Sequence, residues 1–149
     1  MPSPLDAHIG GAYANGEYVD PDRSYLVSFV WVDHGSGGIE GEVHVNFRAY
    51  PGHTAIPVCE DTSTVKGKTV HTKIPCFSDP QGTHRVGGIV AKLYTANQGV
   101  DQWHLLYAWR RRGTLYTLSQ HVTPPYSYAQ VLRNLDRMTR GLVLIDPSA

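Results

Sequence analysis

The chain has 149 residues, with 13 basic and 13 acidic side chains, a formal net charge of zero and only 17% charged residues. A neutral chain without a basic block lacks the phosphate-neutralising footprint of a nucleic-acid binder, and no apolar run approaches the roughly 20 residues of a membrane-crossing helix. The length suits a single domain, 1–149, able to bury roughly 70% of its unfolded surface, and Gly 15, Pro 10 and Tyr 9 favour strands and turns.

Residues 1–23 read as an irregular lead, with Gly10-Gly11, Asn15-Gly16 and Asp20-Pro21 as turn signals and Tyr13 and Tyr18 as anchors. No signal-peptide core is present in it; a leader removed ahead of Met1 is compatible with an exported protein. Tyr25 to Val32 is a nearly continuous apolar run, the pattern of a central strand covered on both sides. Asp33 to Gly38 turns the chain. Glu42 to Tyr50 then alternates, with Val43, Val45, Phe47 and Ala49 inward and Glu42, His44, Asn46 and Arg48 on a solvated face.

Residues 51–85 form the least regular part and contain Pro51, Pro57 and the only two cysteines. Asp61 to Gly67 reads as an exposed loop. Lys68 to Phe77 reads as an edge strand, where Pro75 and flanking lysines discourage pairing with other chains. Ser78 to Gly82 is a further turn.

The clearest pattern lies from Val86 to Leu142. Ile89, Ala91 and Leu93 alternate with Val90, Lys92 and Tyr94. Trp103, Leu105, Tyr107 and Trp109 share one face of the next run, with His104, Leu106, Ala108 and Arg110 on the other. After Arg111-Arg112-Gly113 a third strand spans Thr114 to Val122, and connections this short require antiparallel neighbours. Ser127 and Gln130 then form a capping box ahead of a helix. Its apolar stripe is Tyr128, Val131, Leu132, Leu135, Met138 and Leu142, opposite Arg133, Asn134, Asp136, Arg137 and Arg140. Gly141 closes the helix, and Leu142 to Ile145 folds back as a terminal apolar segment. The fold class expected is therefore α+β: an antiparallel β-sheet of about five to seven strands with a C-terminal amphipathic α-helix packed on one face.

Cys59 and Cys76 are expected to form a disulfide, with two free thiols or a metal role as the alternatives. A bridge would staple the irregular segment, with a loop-closure gain of about 3 kcal/mol. It would also place the protein outside the cytoplasm or in secretion, whereas free cysteines would fit the cytoplasm. His53, Cys59, His71 and Cys76 offer two nitrogens and two sulfurs to zinc, but not in the closely spaced pairs of a zinc finger or ribbon, so no metal is expected. His44 and His71 fall on solvated faces, as polar strand residues.

Catalytic signals are weak. Gly35-Ser36-Gly37 is not a nucleophile elbow, and Ser119 and His121 share a strand face at a spacing of two. Histidines in glycine-rich loops, His34, His53 and His84, are the candidates for a small hydrolase or metal-assisted enzyme. Trp103, Tyr107 and Trp109 either line a cleft for an apolar ligand or form the core under the helix. Arg110-Arg111-Arg112 either grips an anion or keeps a hairpin tip solvated.

The run Gly88 to Leu93, the Trp103–Trp109 and Leu115–Val122 hairpin and the Ser127–Leu142 helix together resemble the Mog1/PsbP-like group of small α+β domains. The resemblance is one of pattern over the last third to two-fifths of the chain. It implies an antiparallel sheet packed by helices and an exported accessory or binding protein without catalysis, and it carries no binding residue across. The expected function is thus a non-catalytic, exported module, without cofactor, that binds a partner protein or a small apolar ligand. The alternatives are the loop-histidine enzyme and a subunit that docks through the edge strand at Lys68 to Phe77.

Overall fold

The computed structural model describes residues 13–20, 24–34, 40–53, 55–97, 103–123 and 126–142, with side chains from residue 43 onward. Nine strands and one helix follow in order among these residues: β1 (Tyr13–Asp20), β2 (Ser24–His34), β3 (Glu40–Pro51), β4 (Val58–Val65), β5 (Lys68–Pro75), β6 (Pro80–Val86), β7 (Ile89–Tyr94), β8 (His104–Arg111), β9 (Thr114–His121) and α1 (Tyr128–Gly141). Seven strands make one antiparallel sheet in the order β1-β2-β3-β9-β8-β7-β6, and β4-β5 make a separate ribbon.

The sheet is two meanders joined along β3 and β9. Consecutive strands pair in each meander because their connections are too short for a crossover. The join is non-local: Val45 pairs with Gln120 and Tyr50 with Leu115. After β3 the chain runs through the ribbon and re-enters at the far edge, on β6.

Several expectations change here. The irregular lead contains β1, which pairs with β2 across a bulge between Asn15 and Tyr18. The side chains of Tyr13 and Tyr18 lie outside the described residues. The Asp61–Gly67 loop is strand β4 followed by a two-residue turn, Lys66-Gly67, with both residues at positive φ. Positive φ at both central positions is the geometry whose twist suits a tight hairpin. Lys68 to Phe77 yields β5, paired in the ribbon and not at the edge of the main sheet. Pro80 to Val86, partly read as a turn, forms the edge strand β6.

The core lies on both faces of β8. Six successive residues, His104 to Trp109, are buried, so the alternation read from the sequence does not separate a dry face from a wet one. On one face Leu105, Tyr107 and Trp109 pack with Val43, Val45, Leu93 and Leu118 beneath Val131 and Leu135 of α1. On the other, Leu106 and Ala108 pack with Leu115, Tyr94, Ala96, Cys76 and Phe77. The face of β3 read as solvated is likewise covered, since Asn46 is buried and His44 and Arg48 are only partly exposed.

Helix α1 starts on the expected capping box: Ser127 accepts from the Gln130 backbone N–H, while the Gln130 side chain accepts from the Ser127 N–H. Its buried residues are Val131, Asn134, Leu135 and Thr139. The buried stripe therefore follows the apolar pattern in the middle of the helix and departs from it at the two ends and at one margin. Tyr128 and Leu142 are exposed, and Asn134, placed outside by the pattern, is inside. Gly141 is the last helical residue, with Leu142 as an extended cap whose N–H bonds the Thr139 carbonyl. Of the terminal segment, all beyond Leu142 lies outside the described residues.

Candidate functional site

Cys59 and Cys76 are disulfide-bonded. Cys59 sits at the base of the ribbon, where it pairs with Ile74, and the Cys76 N–H bonds the Pro57 carbonyl at 2.8 Å. These links clasp the segments around Ile56 and Phe77 against the sheet face opposite α1. Phe77 meets Tyr94 edge-on, with ring centroids 4.8 Å apart.

The clasp leaves a cleft of about 360 Å³ beside it, lined by Ile56, Phe77, Thr83, Val90, Lys92, Tyr94, Ala108, Trp109, Arg110 and Leu115. Strand register explains why these residues converge. Thr83 pairs with Lys92, Lys92 with Ala108, and Arg110 with Leu115, and cross-strand partners point to the same face. The floor is apolar and aromatic, and the polar lining is Thr83, Lys92 and Arg110. A cleft of this size lies at the lower end of small-molecule sites. A second groove, about 490 Å³, continues from it past Gly88, Ile89, Val90, Trp109, Arg110 and Arg111. Lys92 Nζ lies 5.6 Å from the centroid of the Tyr94 ring, within cation–π range.

The candidate residues fall in different places. Tyr107 and Trp109 belong to the core under α1, and Trp109 also borders the cleft. Trp103 stands apart: it is 70% exposed at φ +60° and precedes β8, so it does not share their face. The loop histidines do not assemble. His34 ends β2, opposite Glu40; His53 is exposed and edges onto Tyr50; His84 lies on β6, 5.8 Å from the Tyr107 ring. Strands β2 and β6 are five intervals apart in the sheet, about 24 Å at 4.8 Å per strand. His71, on the exposed ribbon, pairs with Glu60 at 2.5 Å.

A different histidine set does assemble. His44, His121 and His104 occupy a row of positions across β3, β9 and β8, and their rings close into a triangle with centroid separations of 4.8 Å (His44 to His121), 5.2 Å (His104 to His121) and 4.6 Å (His44 to His104). Sequence reasoning missed it because the β3–β9 pairing joins distant strands; the Arg112-Gly113 turn, however, already implies that His104 opposes His121. Two pairs of rings are nearly parallel, at 23° and 29°, so they stack. Among the described residues, no three His, Cys, Asp or Glu side chains are placed to hold a metal ion. Ser119 neighbours the row on the same face as His121, but its buried Oγ makes no hydrogen bond among the described residues, so no nucleophile–base contact exists there.

No family model, curated protein or solved structure matches the chain. The reading of function therefore rests on the cleft itself.

Proposed function

We propose that this is a non-catalytic binding module, working outside the cytoplasm, that takes a small apolar ligand in the cleft between the disulfide clasp and strands β6–β8. The observation that carries this reading is the cleft's construction: Ile56, Phe77, Tyr94 and Leu115 supply an apolar floor, and the covalent Cys59–Cys76 link holds one wall in place. A wall fixed before the ligand arrives reduces the ordering cost of binding. A disulfide persists in oxidising compartments, which supports export, as does the resemblance to Mog1/PsbP-like accessory domains. No described helix is long and apolar enough to cross a membrane.

The test is titration with the uncharged dye N-phenyl-1-naphthylamine, followed by its fluorescence. Saturable binding at one dye per chain is expected. Thr83→Trp, which places a large ring at an exposed position of the cleft wall, is expected to abolish it without altering the far-UV spectrum. Absence of saturable binding, or binding unaffected by this substitution, would overturn the reading.

A further inference from the structure

The cleft has a charged mouth as well as an apolar floor. Arg85 on β6 pairs with Val90 on β7, Lys92 lies two residues beyond Val90, and Arg110 lies two residues beyond Ala108, the β8 partner of Lys92. The alternation of strand side chains therefore puts Arg85, Lys92 and Arg110 on one face, with Lys92 a diagonal neighbour of both arginines. Such neighbours stand about 7–8 Å apart, where like charges repel. Between them is Val90, an apolar side chain left 50% exposed.

No carboxylate lines this cleft among the described residues. Two carboxylates of the adjoining segments are engaged elsewhere: Asp79 accepts from Thr95 at 2.5 Å and from Asn97 at 2.9 Å, and Glu60 pairs with His71 on the ribbon. Three clustered cations without a described counter-ion, around an apolar opening in a chain of zero net charge, form a local anion-attracting field. Ammonium and guanidinium groups are the donors that make short, charge-assisted bonds to carboxylate and phosphate.

We propose that the ligand is a single amphiphile: an anionic head, carboxylate or phosphate, held by Lys92 and Arg110, and an apolar tail lying over Val90 and Tyr94 toward Phe77. This inference rests on the binding-module reading and adds the head group to it. The concave floor favours a dispersed molecule, whose tail can enter the cleft, over the surface of a bilayer. Arg85 extends the field from the β6 side.

The experiment displaces N-phenyl-1-naphthylamine with decanoate, decyl phosphate and decanol, all below their aggregation limits. At low salt, the two anions are expected to displace the dye at concentrations at least ten-fold lower than decanol. That advantage is expected to shrink several-fold in 1 M salt, which screens charges beyond about 3 Å. It should also vanish in Lys92→Gln/Arg110→Gln, where the potency of each anion is read relative to decanol on the same variant. Equal potency of decanol and decanoate, or an anion advantage that survives in the double variant, would overturn the proposal while leaving the apolar cleft standing. Failure of the dye to bind would instead remove the cleft reading beneath it. Sedimentation with phosphatidylglycerol vesicles, without displacement by any monomeric anion, would assign the cations to a membrane surface and also overturn the proposal.

Discussion

The Tyr107 hydroxyl, carried on the middle of β8, donates a hydrogen bond to Oδ1 of Asp136 on α1. A fully buried ring thereby reaches through the interface between sheet and helix and ends on a half-buried carboxylate. Apolar packing alone would leave the helix free to slide or rotate by small amounts. The bond adds a directional tie between β8 and α1 to that packing. Asp136 also explains why the helix's polar side is not wholly solvated.

This contact makes stability sensitive to alkaline pH. Burial, followed by the hydrogen bond to Asp136 and the negative charge of that carboxylate, raises the Tyr107 pKa well above its ordinary value near 10. The folded state thus holds the phenolic proton more tightly than the unfolded chain does. The stabilisation is complete below about pH 10 and is lost as pH rises from there toward the folded-state pKa. Urea denaturation from pH 8 to 11 should show stability falling above about pH 10, with a shallower fall in Tyr107→Phe. At pH 7 the same substitution should cost about 2 kcal/mol, since it removes a bond to a charged acceptor.

The position of each residue along the helix gives a second expectation. Leu135 is 0% exposed and sits in the main core, whereas Tyr128 is 45% exposed. Leu135→Ala should cost about 2–5 kcal/mol, and Tyr128→Ala less than about 1 kcal/mol. The apolar pattern of the helix alone would rank the two as equals. Paired chemical denaturation of both variants distinguishes the patterns directly.

Legibility followed sequence distance. The β7–β8–β9 meander and the Ser127 capping box are local, and the residues that specify them stand next to one another. What stayed hidden depends on contacts across the chain. Trp103 fits the alternation of Trp103, Leu105, Tyr107 and Trp109, but it stands before β8 at positive φ and leaves their face. Both sides of β8 are dry because the Cys76–Phe77 segment returns to cover the second one, and nothing within Trp103–Trp109 announces that cover. The row of His44, His121 and His104 likewise needs β3 beside β9. The cleft arises from six separate stretches, around Ile56 and Phe77 and on β6, β7, β8 and β9, each ordinary alone. Only the cysteine pair gave notice that the irregular middle was tied to something.

The sequence places Lys66-Gly67 within a loop because lysine is a weak turn signal. The hairpin turn's geometry puts Gly67 at φ +75°, a conformation costly for any residue with a Cβ. Nothing lies within 4 Å of the position a Cβ would take, so the cost of Gly67→Ala is conformational and not a clash. A loss of about 1 kcal/mol is expected, and Lys66→Asn should be neutral or stabilising because asparagine tolerates positive φ. Hydrogen exchange should report both changes in β4 and β5, with the main-sheet amides unaffected.

The disulfide makes the strongest claim on both fold and function. The two-stranded β4–β5 ribbon has no fully buried side chain of its own, and an isolated ribbon of this kind is marginal in water. Its attachment depends on the Cys59–Cys76 link and on Phe77 seated beside Tyr94. Thiol titration of the unreduced, denatured protein should find no free thiols. Reduction, or the double substitution Cys59→Ser/Cys76→Ser, should cost about 3 kcal/mol by releasing the closed loop. Exchange protection should fall first in residues 58–77, while α1 keeps its own, because the core beneath it does not involve the bridge. Dye affinity should fall at temperatures where the main sheet is still folded, since the wall formed by Ile56 and Phe77 loses its tether. Unchanged dye affinity in the folded double variant would mean that side-chain packing, without the covalent link, holds the cleft in shape.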